Sequence, residues 1–373
     1  MTVALVLIAG LLLALANGAN DNFKGVATLL GSGTANYRRA LLWATACTLL
    51  GSLTAVFLTG ELLKKFSGKG LVSDALTTNV DYAAAVALGA GLTVLVATRA
   101  GMPVSTTHGL LGALMGAGLA AGSPVSVVRL GSGFVLPLLL SPLLALCSTA
   151  VVYPLLRSTR RRLGVSADMC LCVGNEIVEV IPVSHGIAAM PRASELSIQV
   201  GDTVTCHQRY QGQVLGLEAG AVLDWLHYGS AGSVSFARGV NDTPKIAALL
   251  LLSPHLSGNF SLLFVGVAIA AGGILIGRRV AETMSLRITS MNHGQGFVAN
   301  LIAGLIVIAA SWMGMPVSTT HVSCGALFGI GTVTGQGDWK VIGKIAGAWL
   351  LTLPLGAALG AASLWCIRWL SFV

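Results

Sequence analysis

Charge is scarce in this chain. Only 10% of its 373 residues are Asp, Glu, Lys or Arg, and 54% are hydrophobic. A soluble domain carries about 25% charge, so this composition excludes a globular protein that faces water on all sides. Acidic residues are the scarcer, 14 against 22 Lys and Arg, for a formal net charge of +8. That excess does not imply a nucleic-acid partner. Arg38 and Arg39, the cluster Arg157, Arg160, Arg161 and Arg162, then Arg278, Arg279 and Arg287, and Lys340 with Lys344 all flank apolar runs. The positive-inside rule accounts for such placement.

Two further absences narrow the reading. The opening apolar stretch TVALVLIAGLLLALA lacks the basic n-region of a secretory leader, and the residues after it belong to a motif that recurs, so it reads as a retained span. The seven cysteines lack paired metal-site spacing. Cys47, Cys147, Cys324 and Cys366 lie in apolar segments and read as small packing residues. Cys170, Cys172, Cys206 and His207 form a CxC and a distant Cys-His, a poor match to a zinc site. They read as reduced thiols.

Long apolar runs are what the chain has in their place. Segments of about 20 residues, enough to cross hydrocarbon, recur from end to end, with 47 glycines to let helices pack closely. The fold class is an all-α polytopic membrane protein. The runs predict spans over 2–33 (interrupted near Gly18), 38–59, 81–99, 103–122 and 126–156, then 219–250 (interrupted near Gly239), 257–277, 295–312, 315–335 and 341–370. This divides the chain into a first transmembrane repeat (1–156), a short β-rich insert (157–218) and a second repeat (219–373). NEIVEVIPV, LSIQVGDTVTCH and YQGQVLGL in the insert read as strands or hairpins. An odd number of crossings, five per half, sets the halves in opposite orientations. Both termini outside puts the main basic loops and the insert in the cytoplasm, with loop 60–80 and its Lys64, Lys65 and Lys69 the exception.

Two motifs occur twice. GMPVSTTH at 101–108 returns letter for letter at 314–321. GANDNFKG at 18–25 aligns with GVNDTPKI at 239–246, matching Gly18, Asn20, Asp21 and Lys24 to Gly239, Asn241, Asp242 and Lys245. Order is conserved between the halves, as in a duplication. Inverted-topology repeats with broken or re-entrant helices are the architecture of secondary transporters, whose sites lie at the repeat interface. Polar residues inside apolar spans mark function by default.

The chemistry of each motif is specific. Pro103 and Pro316 suit a first helical turn. Ser105, Thr106, Thr107 and Ser318, Thr319, Thr320 then sit where backbone N–H groups lack intrahelical partners. Hydroxyls, free N–H groups and the positive dipole end make an anion cradle, and two cradles would grip one tetrahedral oxyanion. Plain helix capping is the competing explanation. Asn20, Asp21, Asn241 and Asp242 offer hard oxygen ligands for a coupling cation, with Na⁺ at Asp21 and Asp242 if sodium is used, or serve as caps. Lys24 and Lys245 are either tethered cations or counter-charges to the substrate. His108 and His321 give a Ser-x-x-His spacing, but a hydrolase triad would need an oriented third member.

At these residues the chain resembles the inorganic phosphate transporter (PiT) family, which carries a Gly-x-Asn-Asp signature and a later Pro-(Val/Ile)-Ser-(Thr/Ser)-Thr-His turn in each half. The resemblance covers both membrane halves and omits the insert. It implies Na⁺- or H⁺-coupled uptake of inorganic phosphate across the cell membrane by a homodimer, without an enzymatic step or a cofactor. The Ser-Thr-Thr triplets would hold phosphate, and the Asn-Asp pairs the coupling ion. Gln295 and Asn300, in QGFVAN, look like further site-lining positions, with His108 and His321 beside them. Lys24 and Lys245 depart from the small or amide residues common in the family and put the coupling ion in doubt. A sulfate or other oxyanion permease of the same fold is the alternative, and an intramembrane hydrolase the more distant one.

Overall fold

The computed structural model describes residues 2–58, 60–183, 186–202, 217–251 and 256–372. Helices dominate. In chain order they are α1 (Thr2–Asp21), α2 (Ala27–Gly31), α3 (Tyr37–Leu58), α4 (Gly60–Phe66), α5 (Val80–Arg99), α6 (Thr106–Ala120), α7 (Val127–Leu130) and α8 (Leu136–Arg162). Then come α9 (Ala219–Leu250), α10 (Gly258–Ile276), α11 (Arg278–Glu282), α12 (His293–Trp312), α13 (Thr319–Thr334) and α14 (Trp339–Phe372). Single π-helical turns at Gly131–Val135 and Thr283–Arg287 lie just before α8 and just after α11.

One compact unit comprises Met1–Tyr153 and Tyr228–Val373; the other is Pro154–His227. The second contains a small antiparallel sheet in the order β2-β1-β3, where β1 is Met169–Val183, β2 Gly186–Asp202 and β3 Leu217–Glu218. Cys170 on β1 is a free thiol and Cys172 is disulfide-bonded. Reduced thiols throughout the insert is therefore corrected at Cys172, since spacing along a strand says nothing of what lies across from it. Cys206 and His207 lie outside the described residues.

The larger unit is inside out relative to a soluble protein. Leu42, Phe57, Leu139, Leu275 and Leu350 are exposed, whereas Asn17, Asn20, Asp21, Arg238, Asn241 and Asp242 are buried. Hydrocarbon on the outside and polar groups on the inside suit a bilayer. Among the described residues seven helices are long and apolar enough to cross a membrane, within Ala4–Asp21, Tyr37–Phe57, Val80–Arg99, Val127–Arg162, Gly258–Ile276, His293–Trp312 and Trp339–Ser371.

Ten full spans were expected, and the physical reason for the shortfall is local. α6 and α13 have 15 and 16 residues, about 23 Å at 1.5 Å per residue, short of a hydrocarbon core of about 30 Å. Residues 102–105 and 315–318 ahead of them are not helical. The GMPVSTTH motif is where each half-helix begins. α9 is long but carries Arg238, Asp242 and Lys245 along its length.

Both predicted interruptions also change. α1 runs through Gly18 to Asp21 before turns over 22–26, and α9 is continuous from Ala219 to Leu250 through Gly239, with Pro244 inside it. These glycines serve close packing. A Cβ on Gly18 would lie 1.9 Å from the Ile269 carbonyl oxygen in α10, and one on Gly239 would lie 2.3 Å from that of Thr48 in α3. True turn glycines occur elsewhere: Gly101 and Gly314, which open the repeated octapeptide, have φ of 69° and 63°, a region L side chains avoid.

Gly18→Val should therefore force α1 and α10 apart and destabilise the protein by roughly 2 kcal/mol or more, read as a lower thermal midpoint in detergent. Gly343→Ala, where the space is open, should leave the midpoint unchanged. A Gly18→Val midpoint equal to wild type would contradict this packing.

Candidate functional site

The duplicated motifs converge. α6 starts with Ser105 as N-cap, its Oγ accepting from the His108 N–H at 3.1 Å. Ser318 does the same for α13, accepting from the His321 N–H at 3.2 Å. Both serines are thus caps in the ordinary sense. The threonines that follow have other work.

Thr107 donates to the Val317 carbonyl at 3.4 Å, and Thr320 donates to the Val104 carbonyl at 2.8 Å. Each half's third Ser-Thr-Thr residue therefore bonds the other half's Pro-Val turn. Thr106 donates to Asp21 Oδ2 at 3.1 Å, and Thr319 reaches Asp242 Oδ2 at 3.5 Å, each within its own half. All six Ser and Thr side chains are buried.

The lysines tie the motifs together. Lys24 Nζ donates to Asp21 Oδ1, to Asn20 Oδ1 at 2.7 Å, to the Val104 carbonyl at 2.9 Å and to Thr320 Oγ1 at 2.5 Å. Lys245 Nζ donates to Asp242 Oδ1 at 3.1 Å, to the Val317 carbonyl at 2.9 Å and to Thr107 Oγ1 at 2.9 Å. The Phe66 ring of α4 faces this ammonium at 5.7 Å. The aspartates expected to hold Na⁺ are thus engaged by ammonium groups. Asn20 also donates to Thr98 and to the Met102 carbonyl and accepts from the Val104 N–H. Asn241 donates to Asp242 and the Val317 carbonyl, while its Oδ1 is buried without a partner among the described residues.

The remaining predicted residues divide. The His108 and His321 rings lie 4.6 Å apart, and His321 also lies 3.9 Å from Trp349, whose Nε1 donates to the Pro103 carbonyl. Among the described residues, His108 Nδ1 and His321 Nε2 are buried and find no partner. The bond that each serine makes to its histidine goes to the backbone, which gives no triad. Gln295 and Asn300 are not brought into the cluster. Gln295 completes a capping box with Asn292 and donates to Tyr153, and Asn300 donates to Thr28.

Arg238 was missed by sequence reasoning. It is 1% exposed, donating to Asn22 Oδ1 and Thr48 Oγ1 at 3.0 Å each and to Asn17 Oδ1 at 3.4 Å. Asn17 in turn donates to Asp21 and Thr106. A signal existed: Asn17 and Arg238 stand at the same position, just before the two motif glycines. Among the described residues the buried charged side chains are Asp21, Asp242, Lys24, Lys245 and Arg238. Three cations face two carboxylates, which leaves one formal positive charge for an anion to balance.

Fold and site together define a polytopic helical membrane protein with its polar chemistry gathered inside the bundle. The chain belongs to the phosphate transporter family, whose model matches residues 17–360, a family of transporters and not of enzymes. It is 27% identical over 404 residues to a Pyrococcus abyssi protein named "putative phosphate permease", covering 98% of each. It is 25% identical to the chloroplastic inorganic phosphate transporter 2-1 of Arabidopsis thaliana, covering 95% of this chain and 70% of that one. In fold it matches the structure of a sodium-dependent phosphate transporter with a TM-score of 0.74 at 22% identity, over 98% of this chain and 99% of the other.

Replacing Asp21 by Asn strands the buried Lys24 ammonium and should cost about 3–5 kcal/mol. The double variant Asp21→Asn, Lys24→Gln should recover most of the lost thermal midpoint. Additive losses in that double-mutant cycle would show that the pair is not coupled.

Proposed function

We propose that the protein imports inorganic phosphate across the cytoplasmic membrane by alternating access, coupled to Na⁺ or H⁺, with the anion held between the two PVSTTH turns. One observation carries the reading: Thr107 and Thr320, from opposite halves, lie against each other's Pro-Val turns. The first-turn N–H groups of Thr106 and Thr107, and of Thr319 and Thr320, have no intrahelical carbonyl to bond. With two positive helix ends they favour an anion where the turns meet. The surplus buried cation, Arg238, adds to that field.

Matching element order supports an inverted duplication. With the short α2 and α7 of the first half set aside, each half runs from a motif helix through a long helix, a short one, a long one and a half-helix to a final long helix. Two cross-contacts recur in step with it. Lys65 of α4 donates to the carbonyl of Gly314, which opens the second half's octapeptide, and Arg279 of α11 donates to the carbonyl of Arg99, two residues before the first half's octapeptide. The proposal keeps both termini outside and the 157–218 insert cytoplasmic, on the strength of the basic loops, and includes the homodimer that the family resemblance implies.

Phosphate is preferred over sulfate for a chemical reason. At neutral pH phosphate retains a hydroxyl that can donate and sulfate has none. Asp21, Asp242 and the unpartnered Asn241 Oδ1 are acceptors, which favour a ligand able to donate.

Purified protein in liposomes should accumulate labelled phosphate under an imposed ion gradient, and excess sulfate should not compete. Absence of uptake of any oxyanion under Na⁺ or proton gradients would refute the proposal. Thr107→Val with Thr320→Val should weaken phosphate binding about tenfold or more, as expected when a charged ligand can no longer take over the hydroxyl hydrogens that now go to the Val317 and Val104 carbonyls. Ser105→Ala with Ser318→Ala should lower stability by about 1 kcal/mol per cap and weaken binding less. Unchanged phosphate binding in the threonine double variant would remove the clamp from the account.

A further inference from the structure

We infer that the ammonium groups of Lys24 and Lys245 are built-in cations that stand in the two positions where a coupling Na⁺ would bind, so that phosphate uptake by this protein does not require Na⁺. The inference builds on the phosphate-transport reading and assigns the ionic part of the same site.

The donor sets are those of a hard-cation site. Lys24 Nζ is surrounded by a carboxylate oxygen (Asp21), an amide oxygen (Asn20), a backbone carbonyl (Val104) and a hydroxyl (Thr320). Lys245 Nζ meets a carboxylate (Asp242), a carbonyl (Val317) and a hydroxyl (Thr107). Oxygens of these types are what a small hard cation takes as ligands. Three oxygens correspond between the two sets, with Asn20 the additional one at Lys24: the half's own aspartate, its own Pro-Val carbonyl, and the third Ser-Thr-Thr residue of the opposite half. An arrangement produced by chance packing of a long side chain would not recur with the same three partners in both halves.

Counting donors decides between the two roles open to these lysines. An ammonium has three N–H bonds. Lys24 is offered four protein oxygens and Lys245 three, so neither has a donor left for a substrate. Both side chains are almost wholly buried, at 2% and 1% exposure. Each ammonium supplies the single positive charge that an ion would bring, neutralises its aspartate and links that aspartate to the other half through a threonine. Unlike Na⁺ it cannot be released with the substrate. The substrate's own counter-charge is then left to Arg238, whose Nε has no partner among the described residues.

The test uses the full-length protein, in detergent and in liposomes, with NaCl exchanged for choline chloride. Wild type should take up labelled phosphate at rates within about twofold in the two salts, and Na⁺ should not raise its thermal midpoint. Lys24→Ala and Lys245→Ala vacate the cages; each should lose uptake in choline, regain it as Na⁺ is added, and gain thermal stability from Na⁺ binding. A wild-type rate at least about tenfold lower in choline would overturn the inference, and this arm needs no variant to fold. Folded alanine variants whose midpoint and uptake ignore Na⁺ would also overturn it. Absence of phosphate uptake by wild type in every salt would refute the transport reading instead, and the Na⁺ dependence of the midpoints would still decide the role of the lysines.

Discussion

Among the described residues five formally charged side chains are buried in a bundle whose outer surface is hydrocarbon, and the interior must satisfy them with its own groups. An isolated charge there costs several kcal/mol, so each lysine is held by its own aspartate and the shared Pro-Val turns. This need fixes much of the structure. It requires the chain to leave the helix at residues 102–105 and 315–318, because only a non-helical turn frees the Val104 and Val317 carbonyls to accept. It also requires close approach of α1 to α10 and of α9 to α3, which Gly18 and Gly239 permit.

The same residues serve both parts of the proposed site. Thr107 and Thr320 each accept from the lysine of the opposite half and donate to the Pro-Val turn of that same opposite half. Any ligand that draws on these hydroxyls must alter the lysine cages as well. Binding of an anion and the contact between the halves are therefore linked through shared atoms, which is the physical requirement for one to bias the other. The serines, by contrast, are committed to their own helices as caps.

Much of this was legible in the sequence because duplication repeats the informative residues. The Asn-Asp-x-x-Lys and Ser-Thr-Thr-His strings could be placed in apolar surroundings and matched between halves, and the structure brings those strings together. What was not legible depended on three-dimensional neighbours. Glycine in an apolar run reads equally as a break or a contact, and at Gly239 it is a contact inside an unbroken helix. Span counting by hydropathy cannot see that the apolar residues before Thr106 and Thr319 are spent on extended turns. Gln295 is a polar residue opening an apolar run, which reads equally as a site group or a cap, and its amide completes a capping box. Arg238 escaped because its counterpart in the first half is Asn17, so the position does not look duplicated, although the two side chains meet.

The central claim is that the two octapeptide turns form one anion site from opposite halves. Arsenate has the shape and protonation of phosphate and a heavy atom that scatters anomalously. Crystals of the protein grown with arsenate should show a single anomalous peak between Thr107 and Thr320, within hydrogen-bonding reach of both hydroxyls. A peak confined to one turn, or one placed away from both, would contradict the account.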